Sequence, residues 1–308
     1  MISPTVPQTP PAGDPVALFE AHRARMIRDK LVANVTLLVM FLLFLSWSIY
    51  ISRFTPDRLA AGLPRIFEYF GSVMPAFQWD VFLEGRNEAG RFPQGSLGFW
   101  YSDFWKYLTL IWETILMAIT ATILGTGLGL MLSFLAARNC TPAPWVGVLA
   151  RRFLEFCRGV PEILFALVLV FAVGIGPLAG VIAITISATG AIGKLMAEVN
   201  ENASMRPVDG ITAVGGDWFE RMRYGILPQV LPNFTSYALW RFEINVRASA
   251  VVGFVGAGGI GAELNHVISF YSDDRVTAVL LLVVLTVTCI DLISERARHA
   301  LIGKEALR

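Results

Sequence analysis

Charged side chains are scarce in this chain. Asp, Glu, Lys and Arg make up 16% of its 308 residues, apolar residues make up 55%, and mean hydropathy is +0.59. A soluble domain devotes about a quarter of its residues to charge, so too little polar side chain is present to cover a water-facing surface. The same composition excludes general disorder. The 25 Lys and Arg nearly cancel the 24 Asp and Glu, which leaves no basic field to hold nucleic acid. Cysteine is rare too: Cys140, Cys157 and Cys289 are scattered in or beside apolar stretches, forming neither a disulfide framework nor a metal spacing. His22, His266 and His299 fall in three separate segments, which predicts surface or interfacial side chains rather than ligands. No serine or cysteine has a nucleophile-elbow context. These absences leave an all-α integral membrane protein and argue against an enzyme.

What is present is a series of apolar runs. The 22 residues Leu31–Ser52 carry no charge, and at about 1.5 Å per residue they cross a core of roughly 30 Å. No small-x-small cleavage site follows, so the run reads as a retained helix. Ahead of it, five prolines in the first 15 residues predict a disordered tail, and Leu18–Lys30, with Arg23, Arg25, Arg28 and Lys30, predicts a basic helix abutting the membrane. Residues 53–106 balance six basic against six acidic residues and read as an extramembrane loop with interfacial aromatics such as Trp79, Phe99, Trp100 and Trp105. The core then runs over 107–294. Its first span, 107–137, is interrupted only by Glu113 and contains Gly125, Gly127 and Gly129, which suit close helix packing. Between Glu162 and Lys194 lie 31 uncharged residues with Gly174-Ile175-Gly176-Pro177 at the middle, which predicts a hairpin of spans 159–176 and 177–193. A polar region 194–228, a charged span 229–252, a glycine-rich loop and a last span 276–294 complete six spans, with a tail at 295–308.

The positive-inside rule tests this arrangement. Residues 1–30, 138–158, 194–228 and 295–308 would share one side and hold four Lys or Arg each. The opposite side has seven, six of them in the charge-balanced 53–106 loop. The bias places both termini and the 194–228 loop in the cytoplasm, and 53–106 in the periplasm.

Two nucleotide-binding patterns fail on context. Gly256-Ala257-Gly258-Gly259-Ile260-Gly261 matches a dinucleotide fingerprint, with Asp273 and Asp274 downstream, but its flanks are membrane spans rather than a soluble βαβ unit. These glycines instead suit a bend or gate at the membrane boundary. Gly190-Ala-Ile-Gly193-Lys194-Leu195 echoes a phosphate loop yet lacks its first glycine and its final Ser or Thr. The chain is therefore expected to hydrolyse no ATP and to carry no cofactor or metal.

The 194–228 region is too long for a connection and too apolar for a linker. Its pattern predicts two short amphipathic helices broken at Gly215-Gly216, with Trp218, Phe219, Met222 and Tyr224 packing either on the chain's own spans or on a partner. The segment resembles the coupling motif of ABC-importer permeases, in which an acidic-led triplet precedes a glycine and a Leu-Pro pair follows thirteen residues on. Gly215 and Leu227-Pro228 stand at that spacing. Asp209-Gly210-Ile211 occupies the triplet and keeps only its acidic character, and Gly225 stands where an apolar residue is usual. In that family the element docks in a cleft of the ATPase subunit, which implies contacts around 209–222, Trp218 and Phe219 among them.

A second stretch is more specific. Tyr237-Ala-Leu-Trp-Arg241-Phe-Glu243-Ile-Asn245-Val-Arg247, running into the 256–261 glycines, is similar to the signature of phosphonate-importer permeases; Arg158-Gly-Val-Pro161-Glu162 and Gly174–Pro177 resemble that family as well. The likeness covers about 105–294 and omits the Pro-rich start and the long first loop. It implies a homodimer in the bacterial inner membrane, two cytoplasmic ATPase subunits that hold ATP and Mg²⁺, and a periplasmic phosphonate-binding protein. Permeases for other solutes, methionine or phosphate, and a secondary transporter are the rival readings. Physically, ionisable groups in a span must be paired or face water. Glu243 and Arg247 are four apart and suit mutual neutralisation, Arg241 lacks a local acidic partner, and Glu113 is a distant candidate for either arginine. A structural ion network and an arginine that meets a phosphonate dianion through its planar fork both fit these residues.

Overall fold

A computed structural model describes residues 15–73, 79–85, 92–93, 96–270 and 274–305. The Pro-rich start lies outside the described residues. Among them every regular element is helical, and the chain divides into two compact units that part between residues 70 and 71.

The first unit contains α1, Pro15–Ser52, and most of α2, Pro56–Val73. The expected basic helix and first span are one continuous element, because nothing between Leu18 and Ser52 breaks a helix: the segment has no glycine and no proline. The described side chains of α1 are all exposed, as a lipid-facing span's would be. Arg53, at φ +52, ends it: the amide of Phe54 donates to the Ile49 carbonyl at 3.2 Å, a left-handed helix terminus. The helix α2 was not foreseen within the 53–106 loop.

In the second unit, two single-turn helices, α3 (Trp79–Phe82) and α4 (Leu97–Trp100), precede α5, Phe104–Ala136. The helix α5 packs along α8, Pro177–Glu201. Two of the three glycines on α5 permit this approach. A Cβ on Gly125 would stand 2.6 Å from the Ala188 Cβ, and one on Gly129 would stand 3.0 Å from the Gly193 amide nitrogen. Gly127 meets nothing within 4 Å in this chain and takes no part in the packing on α8. Between α5 and α8 lie α6, Pro144–Gly159, and α7, Glu162–Val173, bent by 88°. The break falls at Val160-Pro161, where proline forces its predecessor out of the helical region. The expected loop 138–158 is thus mostly helix, and the hairpin's first arm is corrected from 159–176 to the 12 residues of α7, about 18 Å at 1.5 Å per residue. Its turn is confirmed: Gly174 (φ +99) and Gly176 (φ +149) adopt backbone that glycine favours, and Pro177 starts α8.

The helix α8 runs to Glu201, so the polar segment is shorter than 194–228. It holds α9 (Arg206–Ala213), the single turn α10 (Trp218–Glu220) and a π turn, Arg221–Ile226. Then come α11 (Leu227–Gly253), α12 (Gly259–Phe270) and α13 (Asp274–Glu305). Among the described residues four helices are long and apolar enough to cross a membrane, and the bent α6–α7 pair makes a fifth candidate. The 27 residues of α11 reach about 40 Å, enough to span by length, but carry the charges described next.

Candidate functional site

Three features meet along α11. The first is the segment leading into it. The Gly215–Gly216 break is where expected: Gly215 takes φ +86, and the Gly215 and Gly216 amides donate to the Thr212 and Ile211 carbonyls at 3.0 and 2.9 Å. A capping box restarts the helix, with Asp217 Oδ1 accepting from the Glu220 amide at 2.8 Å and Glu220 Oε2 accepting from the Asp217 amide at 3.0 Å. Pro228 has no N–H for the Tyr224 carbonyl and crowds it. The chain responds by widening to the π turn, in which the Leu227 amide reaches the Met222 carbonyl five residues back. Gln229 then clasps both sides, donating to the carbonyls of Gly225 (2.6 Å) and Ser204 (3.0 Å) and accepting from the Ser204 amide (3.0 Å).

This segment has an inner and an outer face. Val208, Met222 and Ile226 are buried in a cluster with Ile192, Met196 and Cys140. Gly225 is required there, since its Cβ would meet Val208 Cγ2 at 2.8 Å; this accounts for glycine where an apolar side chain is usual. The Trp218 indole donates to the Cys140 carbonyl at 2.6 Å, so that ring packs largely on the chain itself. Burial, and secondarily the charge of Glu201, push the Cys140 thiol up to about 11, well away from thiolate chemistry at neutral pH. On the outer face Asp209, Gly210, Gly215, Phe219 and Pro228 are exposed, while Ile211 and Leu227 are half-buried. Phe219, Met131, Phe134 and Leu227 line an open apolar groove of about 450 Å³.

The second feature is the polar stripe of α11. Arg241, Glu243 and Asn245 are buried; Arg247 is exposed. Each reaches a different neighbour. Arg241 Nη2 donates to Ser187 Oγ on α8 at 2.9 Å, and Ser187 donates onward to Glu162 on α7 at 3.4 Å. Asn245 Nδ2 donates to Thr122 Oγ1 on α5 at 2.9 Å. Glu243 pairs with Arg298, and Arg247 with Asp291 at 3.5 Å, both on α13. The expected Glu243–Arg247 pair is therefore replaced by two pairs to α13. An i,i+4 spacing permits a contact, but a nearby opposite charge on another helix competes for it. Sequence reasoning missed Asp291, Arg298, Ser187 and Thr122; Asp291 and Arg298 were visible only as charges in or beside the last span.

The third feature is the loop from Gly256 to Gly261. Gly256, Gly258 and Gly259 have φ of +90, +82 and +68, and Gly261 packs against α11, where a Cβ would lie 1.9 Å from the Ala250 carbonyl oxygen. The Gly176 amide donates to the Gly256 carbonyl at 3.0 Å, so the two glycine-rich segments of the sequence meet in space. Glu113 is engaged here: its Oε1 accepts from the Gly259 amide at 3.2 Å, and Thr114 Oγ1 accepts from the Ile260 amide at 2.9 Å. The two side chains hold the N-terminus of α12, where orphan amides and the helix dipole favour a carboxylate. The expected pairing of Glu113 with an arginine gives way to this cap.

The model of a family described as binding-protein-dependent transport system inner membrane component matches residues 129–301. A phosphite transport system permease protein of Stutzerimonas stutzeri is 34% identical over 245 residues, which is 80% of this chain and 81% of that protein. A phosphate-import permease protein of Mycolicibacterium smegmatis is 36% identical over 190 residues, 62% of this chain and 36% of that protein. Among solved structures, an inward-facing conformation of the MetNI methionine ABC transporter superposes with a TM-score of 0.55 at 22% identity, covering 65% of this chain and 98% of that one. At that identity the likeness concerns the fold.

Proposed function

The chain belongs to the family of binding-protein-dependent transport system inner membrane components, and from that premise we propose that it forms the translocation pathway of an ABC importer for phosphonates or related phosphorus oxyanions. The substrate class rests on two supports: the Arg241–Arg247 signature with its glycine loop, and relatives named for phosphite and phosphate transport. Two copies would form the pathway, two cytoplasmic ATPase subunits would bind ATP and Mg²⁺, and a periplasmic binding protein would deliver the solute. Both termini and the 202–226 segment would then face the cytoplasm, as the distribution of Lys and Arg favours.

The observation that carries this reading is the two-faced segment before α11. An element pinned from beneath by Val208, Met222 and the Trp218 hydrogen bond, with Asp209, Gly215 and Phe219 exposed above, is suited to pass on a push from a partner. ATPase closure would move this surface as one piece. The movement would pass through Gln229 and the π turn into α11, and thence to the Gly256, Gly258, Gly259 and Gly261 loop that gates the far end.

Of the two arginines, Arg247 suits the pathway. Arg241 is buried and committed to Ser187. Arg247 has half its side chain exposed and shares a stripe, seven residues apart, with the exposed Asn233, Trp240 and Phe254. Such spacing suits a seam with a second helix, and a guanidinium on it should face water or a partner rather than lipid. The 3.5 Å distance to Asp291 leaves it loosely held and able to release an oxyanion as well as meet one.

The test is reconstitution in liposomes with the cognate ATPase and binding protein, with ATP hydrolysis and uptake measured with and without 2-aminoethylphosphonate, phosphite and phosphate. Stimulation by a phosphorus oxyanion that Gly215→Arg removes and Arg247→Gln weakens is the expected result. ATPase coupling with no response to any of the three would discard the substrate class. Failure to associate with an ATPase would discard the coupling role.

A further inference from the structure

The helix α2 is not explained by transport, and its surface points to an occupant. On a helical wheel of about 100° per residue, Leu59, Leu63, Ile66 and Phe67 share one side. Asp57, Arg58, Arg65 and Glu68 share the opposite side. The four apolar side chains are all exposed, Phe67 by 72% of its surface. Separation of all four charges from these four side chains on a short helix, with so much apolar area uncovered, is the pattern of a helix lying in a lipid–water interface.

Continuity with the span identifies the lipid. The exposed, uncharged run of α1 ends at Ser52, and α2 begins at Pro56. Only Arg53, Phe54 and Thr55 intervene, and their conformation is set by the left-handed Arg53 and by the Phe54 and Leu59 amides donating to the Ile49 and Thr55 carbonyls. A helix that starts within three residues of a span's end starts at the membrane surface. We propose that α2 is an interfacial anchor, its Leu59–Leu63–Ile66–Phe67 face buried among acyl chains and its charged face in water, on the side of the membrane where α1 ends. Its two acidic and two basic residues cancel, so the anchor adheres by apolar area and needs no anionic headgroup. It would fix the orientation of α1 at its outer end.

Spin labels placed one at a time at positions 63, 67, 58 and 65 of the full chain test this, in nanodiscs of purely zwitterionic lipid. Cys289 is replaced by serine, while Cys140 and Cys157 are buried and stay in place. Accessibility to a water-soluble nickel chelate and to oxygen is read at each site. Labels at 63 and 67 should be about fivefold less accessible to nickel and more accessible to oxygen than those at 58 and 65, as insertion of one face into lipid requires. The pattern should persist without the binding protein. Equal nickel access on both faces would overturn the proposal. So would protection of 63 and 67 from both reagents, or protection that arises only when the binding protein is added, since each places protein rather than lipid on that face. A label at 67 in a Leu63→Asp background should regain nickel access, with the rest of the chain unaffected.

Discussion

The turn before α11 and the loop after it are both built on glycine, and the space around those glycines differs. At Gly215, φ is +86 and a Cβ would meet nothing within 4 Å. At Gly261 a Cβ would lie 1.9 Å from the Ala250 carbonyl oxygen; at Gly259 it would lie 2.5 Å from Thr114 Oγ1; and at Gly258 it would lie 2.9 Å from Glu113 Oε1. The first glycine is there for its backbone and for a clear outward surface; Gly258 and Gly259 add a lack of room to the same backbone need, and at Gly261 the lack of room acts alone. A partner could read the first surface, and only the chain itself reads the second. Substitutions should therefore separate association from folding according to which end of α11 they touch.

The largest effect is expected at the crowded end. Gly261→Val drives a side chain into α11 and should cost about 3 kcal/mol or more, as overpacking of a tight contact does; the check is loss of the folded monodisperse species in detergent. Next comes Glu243→Ala, which strands Arg298 beside a buried stretch of α11. Arg298 keeps 27% of its side chain in contact with solvent, so the full penalty of a broken buried pair is discounted to about 2 kcal/mol. Thermal denaturation should show the fall, and adding Arg298→Met should restore most of it. At the open end the stability effect is smaller and the functional one larger. Gly215→Ala and Gly215→Arg share a left-handed backbone cost of about 1 kcal/mol, yet only the arginine fills the partner's space. Melting temperatures of the two should agree while ATPase stimulation survives in one and is lost in the other. If both variants lose stimulation equally, the turn's conformation rather than its surface is what the ATPase reads.

How much of this was legible beforehand depended on whether a feature was local. The Gly174–Pro177 turn, the Gly215–Gly216 break and the long apolar helices follow from punctuation and hydropathy, and they stand where expected. The failures are competitions that spacing does not express. Glu243 and Arg247 were free to pair, but Arg298 and Asp291 on α13 claimed them. Glu113 looked like a counter-ion and caps α12 instead, because the glycines that bring that helix's amides to it are nearly 150 residues away. The 144–159 helix was hidden because its arginines read as loop charge, when they belong to the polar side of an amphipathic turn. The helix α2 was hidden by glycine and proline inside an element that tolerates both.

The same contrast recurs inside one helix, where it predicts the smallest effect and the only gain. Gly125 and Gly127 are two residues apart on α5, so they point to different sides. A Cβ on Gly125 would press on Ala188 at 2.6 Å, whereas one on Gly127 would meet nothing. Neither glycine has a positive φ, so alanine is conformationally acceptable at both. Gly127→Ala should therefore stabilise by about 0.5–1 kcal/mol through the lost freedom of the unfolded chain and better helix propensity. Gly125→Ala should destabilise by separating α5 from α8, despite making the identical chemical change. Paired melting curves in one detergent decide it, and a fall at both positions would mean that Gly127 meets a second copy across a face this single chain leaves open.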